Sequence, residues 1–568
     1  MAGIYGLYSS SKLINNDYSK YFFSSEFQHI KNEDELFKNF HFGRSVLNKF
    51  EKDRFIIKND HFIICIEGAN YSKNNWKKSV GKNFKKYGID FIKNEDALFS
   101  GFIFDKQSQK IYIFTDHLGT KALYYYHDKT SNSFLFASEL KVLSQTCHLN
   151  NILISPSHDG FNCLLTFGYM LEDLSLISSV KKVRPGTILC FNINTGELSE
   201  DKYFKLKKEK FSHSKKDVIN TIDKLILSSI HKEWQKDLDY NTTSFAFLSG
   251  GLDSRVNVLL AKKLGYTDFT CINFSQSGAP DHTIAKDIAT QEELGYAFYK
   301  LDSGHYFINQ FERLVEANSG MTNLNRAAHM FRAMESFDYT SKGLAHSGQI
   351  GDVLFGSFIK PDFNLVTEAG KLGSIDDSKI LNQISILPEL LDSYQNNVEL
   401  FSYEQRQMNG TLDGDKMISH FTDLSSPFYN KELLTYCYNM PDEFKQGKKI
   451  YTEWMLQLHP KILSYPWDAT GIKHSNLLLL SVSSFYRKWR RFIQRRFGIG
   501  NELMNPFDIW YKQNELLQKA LHQIYETNIN NVDSKLLKEN ITYIFHQGVQ
   551  GKFSAVTALL AYNLHFKH

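Results

Sequence analysis

Residues Phe247 to Arg255 read FLSGGLDSR, a run that sets two glycines, two serines and one aspartate between apolar flanks. Glycines let backbone N–H groups come close to an anion, and a helix N-terminus behind them adds a favourable field. The hydroxyls of Ser249 and Ser254 can donate to phosphate oxygens, and Asp253 can hold the Mg2+ that accompanies a triphosphate. Leu248, Gly250 and Gly251 supply the rest of the loop. No lysine follows the glycines, so this is not the G-x-x-x-x-G-K-S/T phosphate loop. The bland alternative is a tight turn that holds nothing.

The loop lies between a predicted buried strand over 243–248 and a predicted helix over 255–264, and ligands of parallel sheets gather at the carboxyl ends of strands. Around it the chain alternates. Asp217 to Trp234 has helical periodicity, TTSFAFL reads as a strand, RVNVLLAKKLGY as a helix, DFTCINF as a second strand and HTIAKDIATQEELGY as a second helix. Such alternation implies a parallel sheet with right-handed crossovers. From about 310 to 568 the pattern is mostly helical. Residues 1 to about 205 instead read as β-rich, with HFIICIEG, ALFSGFIFD, KIYIFTD and KALYYYHD separated by turn residues and a hairpin over 184–204. The charged run KLKKEKFSHSKKD (205–217) is the natural interdomain linker.

Two further stretches make the reading specific. SGGLDS resembles the pyrophosphate-binding loop of the ATP-pyrophosphatase superfamily, and AHSGQIGDVLFGSF (345–358) resembles the SG-x-G-x-DE-x-FGGY segment of the asparagine synthetase family. That resemblance implies that Ser347 and Gly348 approach the nucleotide, that Asp352 is a second Mg2+ ligand beside Asp253, and that Ile272 on the second strand contacts adenine. SSPFYNKELLTYCYNMP (425–441) is similar to a helix of the family, and TDHLGTKALYYY, FASELKVL and VKKVRPGTILCFN are similar to its glutaminase-like domain. The fold implied is α/β. It comprises an N-terminal Ntn-type αββα sandwich of the class II glutamine amidotransferase kind (1–205), a linker (206–216), and a PP-loop, adenine nucleotide α-hydrolase-like parallel-sheet domain with a largely helical C-terminal part (217–568). The activity implied is amide formation: ATP adenylates a carboxylate, releasing pyrophosphate, and ammonia or an amine displaces AMP. The cofactors implied are ATP and Mg2+.

The chain departs from the family at informative places. Members that hydrolyse glutamine begin Met-Cys-Gly-Ile, whereas this chain begins Met1-Ala2-Gly3-Ile4. A methyl group cannot attack an amide carbonyl. The family's NGEIYN aligns with Glu67 to Ser72, which alters both polar contacts to glutamine, and GRSVLNKF (43–50) is a poor match to the R-x-L-A/S-I segment. Three changes favour natural loss of the glutaminase over a single introduced Cys→Ala substitution, as in β-lactam synthetases and lasso-peptide cyclases. In the synthetase half, Gln349, Ile350, Val353 and Asn430 replace a Glu, a Gly, a Glu and an Asp of the family pattern. Negative charge is thereby removed where an ammonium group would be managed, which makes free aspartate a doubtful substrate. Asparagine synthesis, amidation of a glycan uronic acid, peptide or β-lactam-type cyclisation, and a non-catalytic ATP-binding role stay open. Lys473 falls near a late catalytic lysine of the family, and a surface lysine fits it equally.

Bulk properties bound the rest. The 568 residues suggest two or three domains, and 66 basic against 62 acidic residues give a net +4, too weak for a nucleic-acid partner. Six cysteines at 65, 147, 163, 190, 271 and 437 form no metal or disulfide spacing, and no signal peptide or apolar span is present, so a cytoplasmic protein is expected. SFYRKWRRFIQRRF (484–497) reads as a docked amphipathic helix, with a membrane-surface contact or a polyanion site as the sharper readings. A homodimer stays open.

Overall fold

The computed structural model describes residues 3–567 apart from 12, 15, 26, 73–74, 474–488 and 490–502. Position Ala2 and all of the basic segment 484–497 except Trp489 therefore lie outside the described residues.

Two six-stranded antiparallel sheets build the first third of the chain. The first runs in the order β10-β8-β9-β1-β3-β2, with β1 Gly3–Ser9, β2 Ile30–Phe37, β3 Phe40–Leu47, β8 Tyr124–Asp128, β9 Ser133–Ala137 and β10 Val180–Lys182. The second runs β12-β11-β7-β6-β5-β4, with β4 Phe55–Lys58, β5 Phe62–Asn70, β6 Ala97–Asp105, β7 Lys110–Thr115, β11 Thr187–Asn192 and β12 Glu197–Lys202. Strand β5 shows why they stack. Its side chains alternate, so Ile63 and Cys65 join Phe40, Phe42 and Phe136 between the sheets, while Phe62, Ile64 and Ile66 pack under the helix Trp76–Tyr87. On the other side, helices Leu140–Leu149 and His158–Thr166 cover Tyr5, Leu7 and Leu135. The expected αββα sandwich is complete.

The second sheet system is parallel throughout, in the order β15-β14-β13-β16-β17, with β13 Thr243–Phe247, β14 Phe269–Ser275, β15 Gly295–Lys300, β16 Lys342–His346 and β17 Leu424–Ser425. Three local expectations shift. The helix after β13 begins at Leu252 rather than 255, so Asp253 and Ser254 stand in its first turn. Gly295 and Tyr296, read as the end of a helix, open strand β15 (GYAFYK); four half-buried residues between two exposed ones carry too little periodicity to separate strand from helix. Strands β16 and β17 interrupt the stretch read as helical, because they are short and find their pairing only across the sheet.

The linker is docked rather than free. Leu206 is buried, the Glu209 N–H donates to Asn439 Oδ1 at 2.6 Å, and Ser214 and Asp217 already close a capping box on the helix Lys215–Asp239. The two halves also share a core: the last helix, Gly548–Phe566, packs among the first domain's outer helices, and a His148 ring N–H donates to the His565 carbonyl at 2.7 Å. Among the described residues no helix is long and apolar enough to cross a membrane.

Candidate functional site

The loop that follows β13 folds on its own hydroxyls. Ser249 Oγ and Ser254 Oγ lie 2.8 Å apart, the Ser249 N–H donates to Ser254 Oγ at 3.1 Å, and the Gly251 N–H donates to Ser249 Oγ at 3.2 Å. Gly250 is held from behind. Its N–H donates to Asp281 Oδ1 at 3.1 Å, and a Cβ on it would lie 2.7 Å from the Asp468 side chain, so no larger residue fits. Arg255, fully buried one turn into the helix, donates to the carbonyls of Gly250, Ile462, Tyr465 and Pro466 at 2.8 to 3.2 Å. Burial pulls its pKa down to about 10, and the four carbonyls tether the segment 462–466 to the Ser249–Ser254 loop.

The segment after β16 comes to the same place. Asn257 Nδ2 donates to the Ser347 carbonyl at 2.7 Å, and Gly348 approaches so closely that a Cβ would lie 2.2 Å from the Ser254 nitrogen. The Asp352 N–H donates to Asp253 Oδ2 at 2.8 Å, and the Tyr451 hydroxyl donates to Asp253 Oδ1 at 2.9 Å. Burial, and then the facing Asp352 carboxylate, push the Asp253 pKa up to about 7. A buried carboxylate whose proton affinity is raised by a facing carboxylate is a fit for a divalent cation, which would reverse the sign of that interaction. Among the described residues no third His, Cys, Asp or Glu joins them, so phosphate oxygens and water would complete such a shell. Lys448 Nζ stands 3.9 Å from Asp352 Oδ2. Ile350, where the family pattern has glycine, adopts φ 58°, a left-handed conformation unusual for a β-branched residue.

A cleft of about 420 Å3 opens at this end of the sheet. Leu248, Ser249, Gly251, Asp253, Ser254, Ile272, Ser347, Gly348 and Gln349 line it. Gly250 backs the loop and Asp352 flanks Asp253. The structure does not bring Lys473 in: it is exposed, paired with Pro466 in a two-residue ladder. The lysine it places at the acidic pair is Lys448, which nothing in QGKKIYTEW distinguishes from its neighbours.

Several lining residues carried no sequence signal. A π-helical turn over Ser402–Thr411 and the helix Leu412–Asp415 bring Gly410, Thr411 and Asp415 to the floor of the cleft. Gln349 Nε2 donates to Asp415 Oδ1 at 3.1 Å, so a carboxylate stands one side chain away from the position where the family's Glu is missing. Burial pushes the Asp415 pKa up to about 8. His329 also lines the cleft, and burial lowers its pKa to about 4, which keeps the ring neutral at pH 7. Asp281 carries both Gly250 and Asn273, the latter at 2.8 Å, and burial lifts its pKa to about 6.

At the end of the first domain where the resemblance implies a glutamine site, Arg54 and Lys121 are ion-paired, whereas Asn70 Nδ2 is buried without a hydrogen-bond partner. Arg54, rather than any residue of 43–50, stands beside Glu67 at 3.5 Å and pairs with Asp423 of the second domain at 2.6 Å. Lys121 pairs with the other Asp423 oxygen. The Asn70 N–H donates to Asp53 Oδ2 at 3.1 Å, and Lys236 donates to the Asn70 carbonyl at 2.5 Å.

A glutamine amidotransferase domain profile matches residues 71–204. A Methanocaldococcus jannaschii protein named as an asparagine synthetase (glutamine-hydrolyzing) is 27% identical over 243 residues, 42% of this chain and 44% of that protein. Similarly named proteins of Bacillus subtilis and Acanthamoeba polyphaga mimivirus are each 24% identical; the matches take in 41% and 46% of this chain and 34% and 46% of theirs. The chain thus spans less than half the length of these curated relatives. The chain is thus similar, over less than half its length, to proteins named as asparagine synthetases, and part of its N-terminal half matches a glutamine amidotransferase domain.

Proposed function

We propose that the chain is an ATP-dependent carbon–nitrogen ligase that adenylates a carboxylate and passes the acyl group to ammonia or an amine. One observation carries the reading: Asp253 and Asp352, set by the turns after two neighbouring parallel strands, meet beside the Ser249–Ser254 loop at one end of a 420 Å3 cleft. The substrate carboxylate oxygen attacks the α-phosphorus and pyrophosphate leaves; the nitrogen then attacks the acyl carbon and AMP leaves with the bond electrons, while one proton is lost from nitrogen. Mg2+, where bound by Asp253 and Asp352, would neutralise charge on the polyphosphate. The chain's own part is orientation and charge placement. The loop hydroxyls and N–H groups align the phosphates, Lys448 faces the acidic pair, and Asp415 takes the proton as nitrogen attacks. Gln349 and Asn430 leave little negative charge for an aspartate ammonium group, which favours a larger carboxylate over aspartate. With Ala2 at the nucleophile position and Arg54 ion-paired to Asp423, the nitrogen comes from free ammonia, an amine or another protein rather than from bound glutamine. The proposed setting is the cytoplasm, where six unpaired cysteines stay reduced.

The test is exchange of labelled pyrophosphate into ATP, with Mg2+ and a panel of carboxylates that includes aspartate, uronic acids and β-amino acids. At least one should support exchange, and Asp253→Ala should lower it by about 100-fold or more. No exchange with any carboxylate would point instead to a non-catalytic ATP-binding protein.

A further inference from the structure

The floor of the cleft is not carried by the parallel sheet alone. Gly410, Thr411, Gly414 and Asp415 line it from the segment Ser402–Asp415, a π-helical turn run into a short helix. That segment is seated on the first domain. Lys182, the last residue of β10 and 2% exposed, donates from Nζ to Asn409 Oδ1 and to Asp413 Oδ2, each at 2.7 Å. The two acceptors bracket Gly410 and Thr411 and stop two residues short of Asp415. Lys416 holds the other Asp413 oxygen. Asn409 Nδ2 donates to the Glu172 carbonyl at 3.1 Å, and the Glu172 N–H donates to Gln405 Oε1 at 2.8 Å. A Cβ on Gly410 would lie 3.0 Å from the Tyr169 ring, so the two domains meet there without slack. From the opposite side Tyr429 faces Asp415, and its carbonyl accepts from the His117 ring of the first domain at 2.8 Å. The Ser249–Ser254 loop is held differently, by Asp281, Arg255 and Asn257 of its own domain.

We infer that the first domain serves the ligase as the mount of this floor, with Lys182 the positioning residue that holds Asp415 against the acyl group. The inference rests on the ligase reading and gives the first domain a task other than supplying nitrogen. A π-helical turn that contains a glycine has little stiffness of its own, so its place is set by what grips it from outside. Lys182 grips it on both sides of Gly410 and Thr411. Without that amine, Asn409 and Asp413 lose their common donor, and a shift of about 1 Å at Asp415 is enough to cost about 100-fold in rate.

Lys182→Met keeps the apolar stem and removes the donor. With ammonium and a carboxylate that supports pyrophosphate exchange, it should slow amide formation by about 10- to 100-fold while the KM for ATP in exchange stays within about twofold. In an Asp415→Asn background the same substitution should cost less than about twofold more, because both changes act on one step. Full additivity of the two losses, or an ATP KM that moves as far as amide formation does, overturns the positioning role. Asn409→Ala, which removes one of the two acceptors, takes the place of Lys182→Met if that variant fails to fold. A second arm needs no turnover. Hydrogen–deuterium exchange of the full chain should be about tenfold faster over 405–415 in Lys182→Met and within about twofold of the parent over 249–254. Unchanged protection of 405–415, or equal loss in both segments, refutes the mount. Failure of every carboxylate to support exchange in the parent refutes the ligase reading alone, and the hydrogen-exchange arm still decides the mount.

Discussion

In the proposed reaction, Asp415 is the side chain on which the second half turns. It is buried at the floor of the cleft, takes a hydrogen bond from Gln349, and has a pKa lifted to about 8 by burial. Because its folded-state pKa exceeds the unfolded value, folding favours the protonated form. Its contribution to stability is whole below pH 4 and is lost as the pH rises toward 8. Asp415→Asn should therefore melt higher than the parent at pH 8.5, by on the order of a few kcal/mol, and the gap should close toward pH 5. In turnover the same change should leave pyrophosphate exchange in place and slow amide formation by about 100-fold or more. Stability and chemistry thus move in opposite directions at one residue. Equal melting at both pH values, or equal loss of the two reactions, would remove Asp415 from the base role.

At the scale of elements, the site is built by turns that follow strands, and Arg255 shows how they are locked. Its guanidinium spans the phosphate loop and the 462–466 segment through four carbonyls. Arg255→Met keeps the helix but strips those acceptors of their donor, and should cost about 3 kcal/mol or more in thermal or denaturant unfolding while weakening ATP binding. ATP affinity unchanged in a destabilised variant would make the tether purely structural. What the sequence disclosed follows the same division. The FLSGGLDSR loop was legible because glycine and serine between a strand and a helix restrict the local backbone. The β-sandwich was legible from alternation along segments such as ALFSGFIFD. Asp415 and His329 were not, since each sits in an ordinary helical context and becomes chemical only when a distant segment folds over it. The same holds for Lys448, which stands near Asp352, whereas Lys473 is exposed. Ile350 points the other way: the missing glycine was visible in the sequence, but only the backbone shows that isoleucine there holds a left-handed φ.

Taken whole, the molecule has two halves joined by buried charge and a shared core rather than by a flexible tether. Asp423 of the second domain sits between Arg54 and Lys121 of the first, and the C-terminal helix closes the first domain's outer layer. The central claim is that this assembly cuts ATP between its α and β phosphates by attack of a carboxylate. It is tested most directly with a carboxylate that supports exchange, labelled with 18O, incubated with ATP, Mg2+ and ammonium, with mass spectrometry of the nucleotide products. The account predicts AMP carrying one 18O atom, together with unlabelled pyrophosphate. Unlabelled AMP, or label in inorganic phosphate released with ADP, would contradict it.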